Sequence, residues 1–248
     1  MDLLQSLFRW IHVVAGITWI GHLYFFNWVN SQFAPTMDAE TKKKVVPELM
    51  PRALYWFRWG AAYTWVTGVL LLLLVYYHGG IMFDLGGDWG PLAIIMVVLV
   101  FVAPFIYDAL YKSVLKDPTA GFVGGVILAT VVVCVMAFLA DFSYRAYAIH
   151  LGAMFGTIMA FNVWFRIWPA QQKIIRATKE GTPPDAALAA MAGARSKHNT
   201  YMSVPLVFMM ISQHATWSAN PIILGVIVLV AWGATYWLYE KSKTVKGF

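Results

Sequence analysis

Between Ala120 and Ala140 the chain reads AGFVGGVILATVVVCVMAFLA, a run without a single charged side chain. About 20 apolar residues in a row span the ~30 Å hydrocarbon core of a bilayer as one helix. Several other stretches come close to the same length and character. Only 12% of the 248 residues are charged, against about 25% in a soluble domain, while 60% are hydrophobic and 16% aromatic. The expected fold class is therefore all-α: a polytopic transmembrane helical bundle forming a single domain over residues 1–248.

Seven spans are predicted, at Leu7–Val29, Leu54–Tyr77, Pro91–Tyr111, Ala120–Ala140, Ala146–Trp168, Thr200–Trp217 and Pro221–Tyr239. The first run lacks the basic start and small-residue cleavage site of a removable signal peptide. Residues 169–197 read as a cytoplasmic loop. Pro183, Pro184 and Asp185 suit the start of an alanine-rich helix there, lying at the interface or running on into the sixth span. Lysine and arginine alternate between the two sides. Lys42, Lys43, Lys44, Arg52, Lys112, Lys116, Lys173, Arg176, Lys179, Arg195, Lys197, Lys241, Lys243 and Lys246 fall on one side. Asp84, Asp88, Asp141 and Arg145 fall on the other. The positive-inside rule then puts the N-terminus outside and the C-terminus in the cytoplasm. The net charge of +6 is topological and calls for no nucleic acid. A faint internal echo joins Phe26, Asn27 and Trp28 to Phe161, Asn162 and Trp164.

Ionisable groups inside a membrane are costly and mark function by default. Depth sorts the histidines into an outer group (His12, His78, His150, His214) and an inner group (His22, His198). His78, beside Gly79 and Gly80, reads as a loop residue. The others suit axial ligation of haem b, one or two per chain, in a dry helical slot. Gly16, Gly21, Gly152 and Gly156 would let a flat macrocycle approach, and Arg58 and Arg166 would meet propionates or snorkel. His12 and His22 lie about 15 Å apart along one helix and roughly 80° around it, so one iron cannot take both. A copper site using Met202, Met209 and Met210 is the rival. Cys134, the only cysteine, reads as a small core residue, and without CxxCH the chain attaches no c-type haem.

The densest polar chemistry is RSKHNTYMSVPLVFMMISQH, Arg195 to His214. It reads either as an interfacial anchor or as a pocket for a planar, polar or anionic molecule, with Pro205 permitting a kink. In the pocket reading His198 is a ligand or an acid–base group, and Gln213 with His214 forms a second polar pair. Asp108 and Lys112 make a local ion pair.

RWIHVVAGITWIGHLYFFNWVN, ALYWFRWGAAYTWVTGVLL and the Arg195–His214 run together resemble the membrane domain of the bacterial integral-membrane urate hydroxylases. Membrane protoporphyrinogen oxidases and copper-resistance D proteins share a looser likeness around His12. The first resemblance implies an inner-membrane oxidoreductase that converts urate to 5-hydroxyisourate and hands electrons to a c-type cytochrome. Here the chain ends in YEKSKTVKGF without a cytochrome domain, so a separate cytochrome c is the expected acceptor. On that reading Arg195, Asn199, Thr200 and Gln213 contact substrate, and His198 and Gln213 serve the chemistry. His12, His150 and His214 form the outer level of cofactor ligands, and His22 and His198 the inner one. Two other functions stay open: a non-catalytic dihaem cytochrome b subunit of a respiratory complex, and a copper or small-solute transporter.

Overall fold

The computed structural model describes residues 2–84, 86–113 and 117–247; Lys116 lies outside them. Its helices are α1 (Asp2–Tyr24), α2 (Ser31–Phe33), α3 (Ala39–Leu71), α4 (Pro91–Lys112), α5 (Pro118–Phe138), α6 (Tyr144–Asn162), α7 (Trp168–Glu180), α8 (Ala186–Ile211) and α9 (Pro221–Thr244). Among the described residues three π-helical turns adjoin them, at Phe25–Asn30, Leu72–Tyr77 and Val163–Ile167. No strand occurs among the described residues, only an isolated bridge between Phe83 and Phe142.

Local chemistry sets the helix ends. Gly90 and Pro91 open α4, and the Asp117 carboxylate accepts the Ala120 N–H at 2.7 Å ahead of Pro118 to open α5. The Asp185 carboxylate does the same for α8 through Ala187 N–H at 2.8 Å. Gly181 closes α7 in the left-handed region, φ +75°, with Thr182 N–H donating to Ala177 O at 2.9 Å.

Among the described residues six helices are long and apolar enough to cross a membrane: Asp2–Thr36, Ala39–Tyr77, Pro91–Lys112, Pro118–Phe138, Tyr144–Glu180 and Pro221–Thr244. They match six of the seven expected spans. On α4 the residues Ala93, Met96, Val100 and Ala103 are buried at helical spacing, while Ile95 and Phe105 on the other face are 59% and 65% exposed. An apolar outer face of this kind is suited to lipid.

The sixth expected span, Thr200–Trp217, differs. Its helix, α8, begins at Ala186 and stops at Ile211, and it is not among the six. Arg195, Asn199, Thr200 and Ser203 are buried on it, so its polar residues face protein and lower its hydropathy. The chain then turns through two short 3₁₀ segments, Ser212–His214 and Thr216–Ser218. The Tyr144 hydroxyl ties that turn, lying 2.9 Å from both Ser212 O and Ala215 O and 2.5 Å from Ser218 Oγ. Residues 169–197 are largely helical, with α7 continuing α6 through a π turn.

The chain divides into two compact units. One contains Gly68–Ile158 and Met202–Gly233 with the first residues of the chain; its core holds Val100, Val133, Met136, Leu151, Met209, Leu224 and Val228. The other contains Ser6–Thr67, Met159–Tyr201 and Ala234–Phe248; its core holds Trp19, Leu23, Leu54, Phe57, Ala61, Met159 and Val163.

Candidate functional site

The second unit buries a polar network around the first half of α8. Arg195 is 2% exposed, and Asn162, Asn199 and Thr200 are fully buried. The network has a direction. Arg195 donates to Asn162 Oδ1 at 3.4 Å, Asn162 Nδ2 donates to Asn199 Oδ1 at 2.9 Å, and Asn199 Nδ2 donates to Met159 O at 3.0 Å. A second branch starts at Tyr239, whose hydroxyl donates to Asn27 Oδ1 at 2.9 Å. Asn27 Nδ2 in turn reaches Ser196 Oγ at 2.8 Å and Leu23 O at 2.9 Å. Each carboxamide thus uses its oxygen and its nitrogen inside the network, as burial requires. Tyr239 stacks on Tyr201 with centroids 5.9 Å apart and lies under Lys197, whose Nζ is 5.4 Å from the ring.

Asn27 lies within the π turn Phe25–Asn30, and Asn162 immediately precedes the π turn Val163–Ile167. A π turn widens the helix and re-aims its side chains, and such turns favour functional sites. Asn27 and Asn162 occupy the two positions of the internal echo, so the echo marks two carboxamides that reach the same stretch of α8.

His12 and His22 lie in this same unit, on α1. The Thr67 hydroxyl donates to Tyr63 O at 2.6 Å, so its oxygen accepts from His12 Nδ1 at 3.2 Å. His12 is therefore protonated on Nδ1 and carries its lone pair on Nε2. His22 Nδ1 donates to Thr18 O at 2.7 Å, which sets the same tautomer. Both histidines are half-buried. His198 also belongs to this unit and is half-buried.

His150 and His214 belong to the other unit. His150 is fully buried; its Nδ1 donates to Ala146 O at 2.7 Å, so Nε2 accepts the Tyr77 hydroxyl at 2.9 Å. His214 and Gln213 are exposed on the 3₁₀ turn past α8. His78 is exposed at the end of a π turn. Of the residues expected to touch substrate, Arg195, Asn199 and Thr200 come together, and Gln213 sits in the other unit.

The expected slot glycines have other neighbours. A Cβ on Gly152 would lie 2.8 Å from Met209 Cβ and 3.1 Å from Met210 Cε, and one on Gly156 would lie 3.4 Å from Leu206. These two glycines admit α8, and Met209 and Met210 are its packing atoms there. Arg58 caps the face of Trp168 at 4.0 Å, a cation–π contact. Lys112 pairs with Asp108 at 2.9 Å as expected. Among the described residues no three His, Cys, Asp or Glu side chains converge as metal ligands.

Asn27, Asn162, Thr67, Tyr77 and Tyr239 were not singled out as site residues from the sequence. For the two asparagines the signal was present, since both lie in predicted spans at echo positions. The hydroxyl partners carry no such signal, because Thr and Tyr are common in membrane helices.

A family model described as "Urate oxidase N-terminal" matches residues 1–44 and 37–247. The chain belongs to that family. No curated protein and no solved structure matches it.

Proposed function

We propose that this chain is a haem-b-bearing membrane oxidoreductase that oxidises urate to 5-hydroxyisourate, with Arg195, Asn199 and Thr200 receiving the substrate. The buried Arg195–Asn162–Asn199 network carries the reading, together with membership of the urate oxidase N-terminal family. A guanidinium is expensive to bury, and its planar fork is suited to a flat anion such as urate. A carboxamide carries both a donor and an acceptor, so on exchanging its network partners Asn199 would match the alternating N–H and C=O edge of a purine trione. Urate becomes 5-hydroxyisourate by losing two electrons and two protons as water adds across the ring. His198, three residues along α8 from Arg195, is the proposed proton acceptor. Gln213, exposed on its turn, has no part in this version.

The electrons need a sink, which haem b would supply by accepting them one at a time. The donor set fits such a group at His12. Its Nδ1 is held by the Thr67 hydroxyl at 3.2 Å. A ligating imidazole is ordinarily set in this way by a partner on its other nitrogen. His22 presents the same tautomer one level along α1. His150 is left out, because Tyr77 occupies its lone pair. The acceptor beyond the haem is a separate cytochrome c, and the setting is a bacterial inner membrane with the N-terminus outside.

The spectrum of the purified chain tests this. A pyridine haemochrome of b type, together with a native haem that is reduced on adding urate and no longer reduced in Arg195→Gln, is the expected result. No b-type band would overturn the haem assignment, and a haem that urate leaves oxidised would overturn the substrate. Two histidines of one tautomer on one helix also favour a second reading, a dihaem relay without catalysis. It predicts two haems per chain, reduced by a quinol and indifferent to urate.

A further inference from the structure

In the second unit α3 and α7 lie side by side and antiparallel. Arg58 meets Trp168, Glu48 feels the charge of Lys179, and Lys43 Nζ would lie 3.2 Å from a Cβ on Gly181. As α7 runs forward, its contacts on α3 run back. The character of α3 changes along the same line. Lys42, Lys43, Lys44 and Arg52 come first, then Tyr55, Trp56, Trp59 and Tyr63, then Val69 to Leu74 without a polar side chain. Cations, then aromatics, then aliphatics is the order in which a helix passes from water through the headgroup layer into hydrocarbon. The four aromatic residues are exposed, as the rings of such a layer are.

Arg58 is a cation set into the aromatic layer, about 9 Å along the helix past Arg52. Its guanidinium lies over two rings, 4.0 Å from the Trp168 centroid and 5.3 Å from that of Tyr55. Its backbone is held as well: Trp164 Nε1–H donates to Arg58 O at 3.0 Å, and Trp164 packs edge-on against Trp59 at 5.5 Å. Stacking uses the face of a guanidinium and leaves the N–H donors at its edge. Arg52 is engaged by Glu48 at 2.7 Å, whereas no carboxylate pairs with Arg58 among the described residues. Beside the clamp, Pro47, Glu48, Pro51, Arg52, Tyr55 and Trp56 line an open groove of about 550 Å³, and Tyr55 belongs to both. Lys173 and Arg176 are exposed on the stretch of α7 between its contacts with Arg58 and Glu48.

We propose that Arg58, clamped on Trp168 and Tyr55, binds the phosphodiester of an anionic phospholipid. Its planar fork matches two phosphate oxygens, and the rings fix it at the depth where lipid phosphates lie. Lys173 and Arg176 draw negative headgroups to this edge of the protein. A zwitterionic headgroup carries its own cation, which these three side chains repel, so the charge favours a lipid with none. Exposed Trp59 and Tyr63 lie beyond Arg58 towards the aliphatic part of α3, where acyl chains would run. This site is separate from the α8 network and needs only the membrane setting, not the urate reading.

Native mass spectrometry of the purified full chain in neutral detergent tests it. The probe is dioleoylphosphatidylglycerol, compared with dioleoylphosphatidylcholine and with inorganic phosphate. The first phosphatidylglycerol is expected to bind about fivefold more tightly than the first phosphatidylcholine, or better, and to lose that margin in Arg58→Gln. Arg58→Lys keeps the charge but not the planar fork, and it too should lose most of the margin. Lys241→Gln, an equal loss of charge in the last turn of α9, should leave the margin intact. Should Arg58→Gln fail to fold, Arg58→Lys carries the test, since it keeps a cation over both rings. No margin in the parent, or the parent's margin in Arg58→Gln, overturns the site. A full margin in Arg58→Lys, or an equal loss in Lys241→Gln, reduces the effect to general charge and overturns it as well. Displacement of the lipid by excess inorganic phosphate overturns the lipid assignment in favour of a small-anion site.

Discussion

Gly60 sits where α3 packs directly against the backbone of α1. A Cβ built there would lie 3.1 Å from Trp19 N, 3.2 Å from Ala15 O and 3.3 Å from Trp19 Cα. All three are backbone atoms of one helix, so no rotamer change relieves them, and the two helices must part by a few tenths of an ångström. In an open helix Gly→Ala is worth about 0.5–1 kcal/mol in favour of Ala. Overpacking of this kind costs about 1–3 kcal/mol. The strain wins, and Gly60→Ala is expected to destabilise by about 1–2 kcal/mol. Gly21, on α1, is the control, since nothing lies within 4 Å of the Cβ it would gain. Gly21→Ala should be neutral or stabilising by about 0.5–1 kcal/mol. Reversible unfolding in mixed micelles, followed by Trp fluorescence, measures both. Equal shifts for the two variants, or a stabilised Gly60→Ala, would refute the claim that backbone contact sets this crossing.

Thr67→Val removes the acceptor of His12 Nδ1–H and should cost about 0.5–1.5 kcal/mol; if His12 ligates haem, the b-type band also shifts or weakens. A spectrum identical to the parent's would separate His12 from the haem. Tyr144→Phe deletes a hydroxyl that contacts Ser212 O, Ala215 O and Ser218 Oγ. Hydrogen exchange should rise in residues 212–218 and stay unchanged in α5; uniform protection would show that the hydroxyl holds nothing. Asn162→Leu interrupts the chain from Arg195 to Asn199, and a hydrogen bond to a charged group is worth about 1.5–3 kcal/mol. Its loss should fall in that range by micelle unfolding, and a change below about 0.5 kcal/mol would contradict the network. Combining it with Asn27→Leu should cost less than the sum, because both carboxamides hold one turn of α8, at Ser196 and Asn199. Strict additivity would show that the two branches act separately.

Six helices long and apolar enough to cross a membrane were legible because lipid imposes a harsh rule on residues that would face it. Pro91–Tyr111, for example, ends within a residue of the observed α4. The sixth span was drawn too far because Gln213, His214 and Trp217 follow an apolar run, and periodicity alone does not show where α8 stops. What ends it is a set of contacts from Tyr144, 68 to 74 residues away in sequence. The histidines were found from their type and depth, but not their states. His150 and His12 look alike in sequence as lone imidazoles among apolar residues. A phenol on one and a threonine oxygen on the other decide which keeps a lone pair, and those partners come from elsewhere in the chain.

The expected span that is absent from the six apolar enough to cross a membrane is the one that carries the candidate site, and the two facts share a cause. Arg195, Ser196, Asn199 and Thr200 depress the hydropathy of α8. A helix so polar can be buried only where neighbours bring matching groups to it. Asn27 from α1's π turn, Asn162 from the end of α6 and Tyr239 from α9 bring them. If those partners served stability alone, apolar residues of similar shape would do as well at lower risk, since buried polar networks are often replaceable without loss. Polar groups drawn from three helices to one stretch of α8 are hard to explain as packing. They are what a chain needs if a polar, planar molecule is to be received inside an otherwise apolar bundle.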